Sequence, residues 1–539
     1  MARPKIVSSV AWLILAVAGL SAFLLLFNHA FPIASVDIKL TKEEALNRAK
    51  AFLSRQDFDL SGFDKAVIFD ADDEGAAYLQ KNFGIKKFNQ LAGSEVPIWF
   101  WRVRWFKELE KEGFKVRIDP STGEVLSFHH LILDDAEGAD LEEAQAILLA
   151  SSVIASQGIN LSDYELKENS TQKQKNRTDY RFSWEKKHYK LKDAVIRVFV
   201  YVYGDKLGYY SRQLKIPEAF KRELKREIAL GEALSLLSVI FTFLLVIATI
   251  FTLITEYKND KLNWRFGLVA GCIVILFNIV YFINCLPLLW SMYPDTMSKG
   301  VFIIISFFSA FINALVLGMA VFVYGSVGDS LARSMWRTKT PLLDALRDKN
   351  FTLSLALPKV IAGYSLGFIF LGYVTIFYLI GTRFFNIWMP PHSEYSNILG
   401  TAMPFLFPLT VALTAAFSEE FMFRLFAISF LKKYVRFAWA AILISSLIWA
   451  LGHSTYSVFP AYVRAVELTI FGFIFGIVFL KYGLETVIIA HFVIDAFLGA
   501  MPLLKSSNVY FLASGLIVLS MAFIPFIIMA VIKQKGNKT

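Results

Sequence analysis

The sequence predicts a polytopic α-helical membrane protein of about ten transmembrane helices, with an α+β extracytoplasmic domain inserted after the first. Three observations carry this. The 539 residues have a mean hydropathy of +0.51 and only 19% charged side chains, where a water-soluble chain carries nearer a quarter. Several apolar runs exceed the roughly 18 residues that cross a hydrocarbon core about 30 Å thick. One long charged stretch, residues 33–228, contains no such run.

The first element is an anchor. Met1–Lys5 is basic and Ile6–Phe27 is apolar. That run is long for a secretory leader and no small-x-small cleavage site follows it, so residues 1–30 read as an uncleaved signal anchor with a cytoplasmic N-terminus.

Residues 33–228 read as a soluble region held outside the cytoplasmic membrane. Two rounds of one plan are visible, about 33–135 and 136–215. In the first, Thr41–Arg55 is an amphipathic helix opened by Thr41 with Glu44 three residues on, a capping-box pattern. Strands are predicted at Ile98–Phe106 and Phe114–Ile118, followed by the turn Asp119-Pro120-Ser121-Thr122-Gly123-Glu124-Val125. In the second, a helix over Leu141–Gln157 precedes strands near Tyr180–Trp184, Val195–Tyr203 and Leu207–Ser211. The helix-then-hairpin order and this turn resemble PepSY-type modules, small extracytoplasmic domains attached to proteases or their regulators.

Nine more spans follow: Leu230–Thr255, Phe266–Trp290 and Val301–Val327 in the segment 230–354, then Lys359–Thr382, Ile398–Leu431, Phe437–His453, Val463–Leu480, Thr486–Leu504 and Val509–Ile532 in the segment 355–532. Loop charges check the count. With the N-terminus inside, Glu256–Arg265, Gly328–Pro358, Lys432–Arg436, Lys481–Glu485 and the Lys533–Lys538 tail are cytoplasmic, and all carry Lys or Arg. The opposite loops Ser291–Gly300 and Phe384–Asn397 carry at most one, as the positive-inside rule requires. The net charge of +10 is therefore topological and calls for no nucleic acid. Cys272 and Cys285 are too few for a disulfide framework and fit no zinc spacing.

Ionisable residues inside apolar spans are costly and are functional candidates by default. Here they concentrate after residue 417. Glu419 and Glu420 are adjacent and point about 100° apart on a helix. Glu420 and Arg424 share a face and suit an internal ion pair, which leaves Glu419 to face a cavity. His453 follows Trp449 by one turn, and His491 and Asp495 are again four apart. Depth allows these sets to meet. Glu419 and His453 lie about 14 and 18 residues either side of the basic turn Lys432–Arg436, or roughly 20–27 Å from one membrane edge. His491 and Asp495 lie roughly 13–20 Å above the Lys481 loop. A carboxylate beside imidazoles can take a proton from water and return it to an amine. Alternatively Glu419, His453 and His491 hold a zinc ion with an open position, and the metal makes the hydroxide. In either case the remaining His and Asp495 would steady an oxyanion or orient a ligand.

Glu419-Glu420-Phe421-Met422-Phe423-Arg424, Trp449-Ala450-Leu451-Gly452-His453 and His491-Phe492-Val493-Ile494-Asp495, in this order on successive membrane helices, resemble the CPBP family, also called ABI. That family comprises type II CAAX prenyl endopeptidases and bacteriocin-processing or immunity relatives, and the resemblance covers about residues 355–532. Trp449 stands where Phe is usual and Asp495 where Asn is frequent; an anion is a poorer oxyanion donor unless protonated. The resemblance implies that Glu419 and His453 activate water and that His491 with Asp495 supports the intermediate, with a metal left open.

The bland alternatives are specific. Glu420–Arg424 reads first as a structural pair, and His453 alone would pass for an interfacial residue. His29 and His392 flank spans, and His129, His130 and His188 lie in the soluble part. Asn278, Asn284 and Asn313 read as helix–helix hydrogen-bond partners. The expected function is an intramembrane endopeptidase of the cytoplasmic membrane, in contact with lipid and with a peptide or membrane-protein substrate. The alternative is a non-proteolytic relative, a membrane scaffold or self-immunity factor. A proton-coupled transporter is disfavoured, since the spans show no inverted repeat.

Overall fold

The computed structural model describes residues 6–32, 38–92, 95–336, 338–348, 350–390, 398–527 and 529. Met1–Lys5, His392 and Lys533–Lys538 lie outside them.

Helix α1 (Ile6–Ala30) covers the first apolar run and is three residues longer than it. It crosses α9 (Leu353–Phe384) through glycines: a Cβ on Gly19 would lie 2.4 Å from the Phe368 carbonyl oxygen, and one on Gly372 2.6 Å from the Gly19 Cα. Any side chain there would hold the two backbones apart.

The sheet region follows. Helix α2 (Lys42–Arg55) starts with the expected capping box: the Glu44 backbone N–H donates to Thr41 Oγ1 at 3.2 Å and the Thr41 N–H to Glu44 Oε2 at 2.7 Å. Strand β1 (Asp64–Ala71), helix α3 (Asp73–Ala92), and strands β2 (Trp99–Lys107), β3 (Glu110–Ile118) and β4 (Val125–Leu131) complete the first half. Helix α4 (Glu143–Ser156) and strands β5 (Tyr164–Lys173), β6 (Thr178–Leu191), β7 (Ala194–Tyr203) and β8 (Lys206–Lys215) form the second. The eight strands make one antiparallel sheet in the order β1-β2-β3-β4-β8-β7-β6-β5. Each half is thus a helix followed by four sequentially paired antiparallel strands, with α3 inserted between β1 and β2 in the first, and the halves meet through their last strands. Alternation divides the faces. Trp99, Trp101, Val103 and Trp105 of β2 enter the core with Phe52, Leu53 and Leu79 of the covering helices. The turn between β3 and β4 is held by Asp119 Oδ1, which accepts from the Ser121 and Thr122 N–H groups, with Gly123 at φ +78°. Four elements are additions to the predicted set: β1, α3, β4 and β5.

The remaining helices are α5 (Glu218–Lys258), α6 (Trp264–Leu289), α7 (Lys299–Trp336), the short α8 (Pro341–Arg347), α9, α10 (Leu406–Glu419), a π-helical turn (Glu420–Ala427), α11 (Ile428–Tyr434), α12 (Ala438–Leu451), α13 (Tyr462–Tyr482), α14 (Leu484–Leu504) and α15 (Val509–Ala522). Four boundaries change. The predicted start of a span at Leu230 falls inside α5, one continuous helix from Glu218. The run Ile398–Leu431 is broken into α10, the π turn and α11. His453 lies just beyond the end of α12, and α15 stops at Ala522. Seven described helices (α1, α5, α6, α7, α9, α13 and α14) are long and apolar enough to cross a membrane one by one. With 14 residues each, α12 and α15 reach only about 21 Å. Helices α1, α5, α6 and α7 turn most side chains outward, whereas α9, α13 and α14 are mostly enclosed. The sequence-predicted glue is present in part. Asn278 Nδ2 donates to Thr414 Oγ1 at 3.0 Å, and the Asn284 amide pairs with both backbone groups of Met403.

Candidate active site

The site begins where α10 gives way to the π turn. Glu419 is the last α-helical residue and Glu420 the first of the wider turn. Such turns replace i→i+4 bonds by i→i+5 bonds and are frequent at functional sites. Two neighbours hold this one. Ser445 Oγ of α12 donates to the Phe423 carbonyl at 2.6 Å. Phe421 and Leu425 fill the surface left by Gly325 and Gly328 of α7, where an added Cβ would lie 2.8 and 2.9 Å from them.

The two adjacent glutamates face different surroundings. Glu420 is fully buried, with Oε1 3.2 Å from Arg424 Nη1. Arg424 is itself buried, its guanidinium 4.3 Å from the Trp449 ring and 5.5 Å from the Phe475 ring. Glu419 keeps 24% of its side chain exposed and lines a cavity of about 400 Å³. Its Oε2 accepts a hydrogen bond from Trp449 Nε1.

Both imidazoles approach that carboxylate. His453 Nε2 lies 3.8 Å from Glu419 Oε1 and His491 Nε2 3.9 Å from Glu419 Oε2. Their outer nitrogens are fixed by other partners. His453 Nδ1 is 2.9 Å from the Trp449 carbonyl oxygen, which can only accept, so Nδ1 carries the hydrogen and a neutral ring presents a bare Nε2 to Glu419. His491 Nδ1 is 2.7 Å from Glu420 Oε1. His491 Nε2 also lies 3.5 Å from Asp495 Oδ2, one turn along α14. Glu419, His453, His491 and Asp495 therefore surround one end of the cavity, with Glu420 and Arg424 beneath it.

The sequence reading missed a second polar group on the same cavity. Arg464 Nη1 and Glu467 Oε2 of α13 are 2.6 Å apart, and the Tyr378 hydroxyl donates to Glu467 Oε2 at 2.6 Å. All three line the cavity. An Arg-x-x-Glu pair at the start of an apolar helix was the available signal. The rest of the wall is apolar, with Phe370, Leu468, Phe471 and Leu498 among its members. At the end nearest the sheet region, Met389 and Pro390 line the cavity, and the Met389 N–H donates to Gln80 Oε1 of α3 at 3.1 Å. Trp388 stacks on Phe459 with centroids 4.3 Å apart and pairs with it through a β-bridge.

The zinc alternative rests on the same three side chains, Glu419, His453 and His491. As they stand, Glu419 accepts a hydrogen bond from an indole and lies at ion-pair distance from two imidazoles; among the described residues no three His, Cys, Asp or Glu form a closed metal site, and no step below passes through a metal.

Residues 401–497 match the family model described as "Type II CAAX prenyl endopeptidase Rce1-like". That stretch contains all of Glu419, Glu420, Arg424, His453, His491 and Asp495. The chain is also 23% identical, over 505 residues covering 92% of its length and 95% of the relative's, to the sporulation-killing factor biosynthesis protein SkfC of Bacillus subtilis. No solved structure matches. The chain is thus similar, over residues 401–497, to Rce1-like type II CAAX prenyl endopeptidases.

Proposed function

We propose that the protein is an intramembrane endopeptidase that hydrolyses a peptide bond with a water activated by Glu419 and His453. The observation that carries this is the Glu419 carboxylate lying within 4 Å of two imidazole Nε2 atoms at the wall of a largely apolar cavity. In this reading Glu419 takes a proton from water and His453 Nε2 accepts its second hydrogen, which aims the oxygen lone pair at the scissile carbonyl carbon. The C=O π pair moves to oxygen, and His491 Nε2–H donates to that oxyanion while Glu420 holds Nδ1. Collapse expels the amine, which takes the proton from Glu419. Asp495 sets the protonation of His491 Nε2 and is thus a positioning residue.

The substrate reading is a peptide precursor or membrane-protein segment entering from the side of the sheet region. The relative's name associates it with biosynthesis of a sporulation-killing factor, which favours a peptide precursor over a prenylated C-terminus. We read the sheet region as two PepSY-like modules outside the cytoplasmic membrane, with both termini inside, acting at the cavity mouth where Gln80 meets Met389. The non-proteolytic alternative, a scaffold or self-immunity factor, leaves Glu419 without chemistry.

The test compares membrane and secreted peptide profiles of cells expressing wild type, Glu419→Gln and His453→Ala at equal levels. We expect at least one peptide to be cleaved only with wild type. Identical profiles in all three strains would favour the scaffold or immunity reading.

A further inference from the structure

The helix-free face of the first half-sheet carries a charge pattern that the proposed peptidase chemistry does not use. On β2 and β3, Arg102 is registered directly opposite Arg117, and Arg104 opposite Lys115. Like charges directly opposed across strands destabilise a sheet, and here two such pairs stand side by side. Three carboxylates face the four cations: Asp70, 3.1 Å from Arg102, Asp72, close enough to act on Arg117, and Asp295, close enough to act on Arg104 and Lys115. Burial first, and then Arg104, Arg102 and Arg117, hold the Lys115 ammonium below the ordinary lysine range.

This face is turned toward the ends of α6 and α7. Arg104 Nη1 donates to the Ser291 carbonyl at 3.1 Å, and Phe106 packs on Trp290 and Tyr293. Trp290, Tyr293 and Phe302 form a collar of the kind that sits at the level of lipid headgroups. Between the sheet and the two helices opens a cleft of about 490 Å³. Its rim holds Arg102 and Asp70, and its wall is Phe282, Leu288, Leu289 and Ala310. Charge at the rim and apolar surface below is the complement of an amphiphile.

We propose that this cleft binds an anionic phospholipid, its phosphate at Arg102 on the rim, beside the cations Arg104, Lys115 and Arg117 of the same strands, and an acyl chain along α6 and α7. The chain explains why a site at this depth has an apolar wall. The lipid would fix the sheet region against α6 and α7.

The test uses the full-length protein in nanodiscs containing equal parts of phosphatidylglycerol and phosphatidylcholine, followed by extraction into mild detergent and native mass spectrometry. Each cation near the membrane surface strengthens attraction to an anionic lipid by roughly fivefold. Phosphatidylglycerol should therefore be retained over phosphatidylcholine. Its retention should fall about fivefold in Arg102→Gln and roughly 25-fold in Arg102→Gln/Arg117→Gln. A second measurement needs no mutation on the sheet. Cys285 lines the cleft and is half-buried, so in a Cys272→Ser background its maleimide labelling should be slower in phosphatidylglycerol than in phosphatidylcholine. Equal retention of the two lipids by wild type, or unchanged retention in the double variant, overturns the proposal. So does an acidic peptide that slows Cys285 labelling where phosphatidylglycerol does not, which would make the strip a peptide surface.

Discussion

Replacing Glu420 by Gln separates the stability of the site from its chemistry. Glu420 is fully buried and Arg424 nearly so, and removing one partner of a buried ion pair costs about 3–5 kcal/mol. The Trp449 and Phe475 faces stay over the guanidinium in both proteins and cancel from the difference. Glu420→Gln should therefore destabilise the protein by about 3–5 kcal/mol. Removing the second charge as well, in Glu420→Gln/Arg424→Met, should bring stability back to within about 1 kcal/mol of wild type, because the uncompensated cation is gone. Activity should behave differently. Glu420 also fixes His491 through Nδ1 at 2.7 Å, and loss of a hydrogen bond to a charged group is worth about 1.5–3 kcal/mol, or roughly 10- to 150-fold in kcat/KM. The double variant should thus be stable and still slow. Denaturant unfolding of the detergent-solubilised full chain gives the first quantity, and turnover of the peptide identified in the profiling experiment gives the second. A Glu420→Gln protein as stable as wild type, or a double variant that regains activity together with stability, would refute this division.

Three further outcomes follow from the same geometry. Trp449→Phe keeps a ring over Arg424 and deletes the hydrogen bond to Glu419; turnover should fall about tenfold or more with the melting temperature nearly unchanged, and full activity would show that the indole does not set the carboxylate. Gly231→Ala places a Cβ 2.4 Å from the Ser454 carbonyl oxygen, so α5 must press on the turn carrying His453; thermal unfolding and turnover should both drop, and a neutral result would mean that α5 moves freely there. Chelators such as EDTA and 1,10-phenanthroline should leave turnover unchanged, because the proposed step activates water with Glu419 and His453 alone; inhibition reversed by added zinc would make Glu419, His453 and His491 metal ligands.

Which parts of this molecule the sequence discloses depends on contrast. Glu419, His453, His491 and Asp495 stand out because charge is rare in apolar runs, and helix rise alone puts them at similar depths. Arg464 and Glu467 do not stand out: they lie at the start of α13, where charge at a span end is ordinary, and only the fold shows them inside the cavity with Tyr378. In the sheet, β2 and β7 were legible by alternation of apolar residues. Strand β5 is an edge strand with almost every side chain exposed, so it has no apolar period to read. The first turns of α5 are polar and read as part of the soluble region, although the helix runs through without a break. The π turn is invisible in principle, since eight residues are too few to separate its period from that of an α-helix.

That turn nonetheless decides how the site is built. Two adjacent carboxylates cannot both be buried in an apolar interior without a cation for each, and only Arg424 lies on their helix to serve one. The change from α to π geometry at Glu420 puts that carboxylate under Arg424 and His491 and leaves Glu419 at the cavity wall. One imidazole then joins the two levels, with Nδ1 on the buried glutamate and Nε2 toward Glu419 and Asp495. The orientation of His491 in the cavity is thus set from below by a group no substrate can touch. For that reason the buried pair must influence turnover even if its charges contribute nothing to net stability, and the double variant in which stability and rate part company is the measurement that distinguishes a holding role from mere packing.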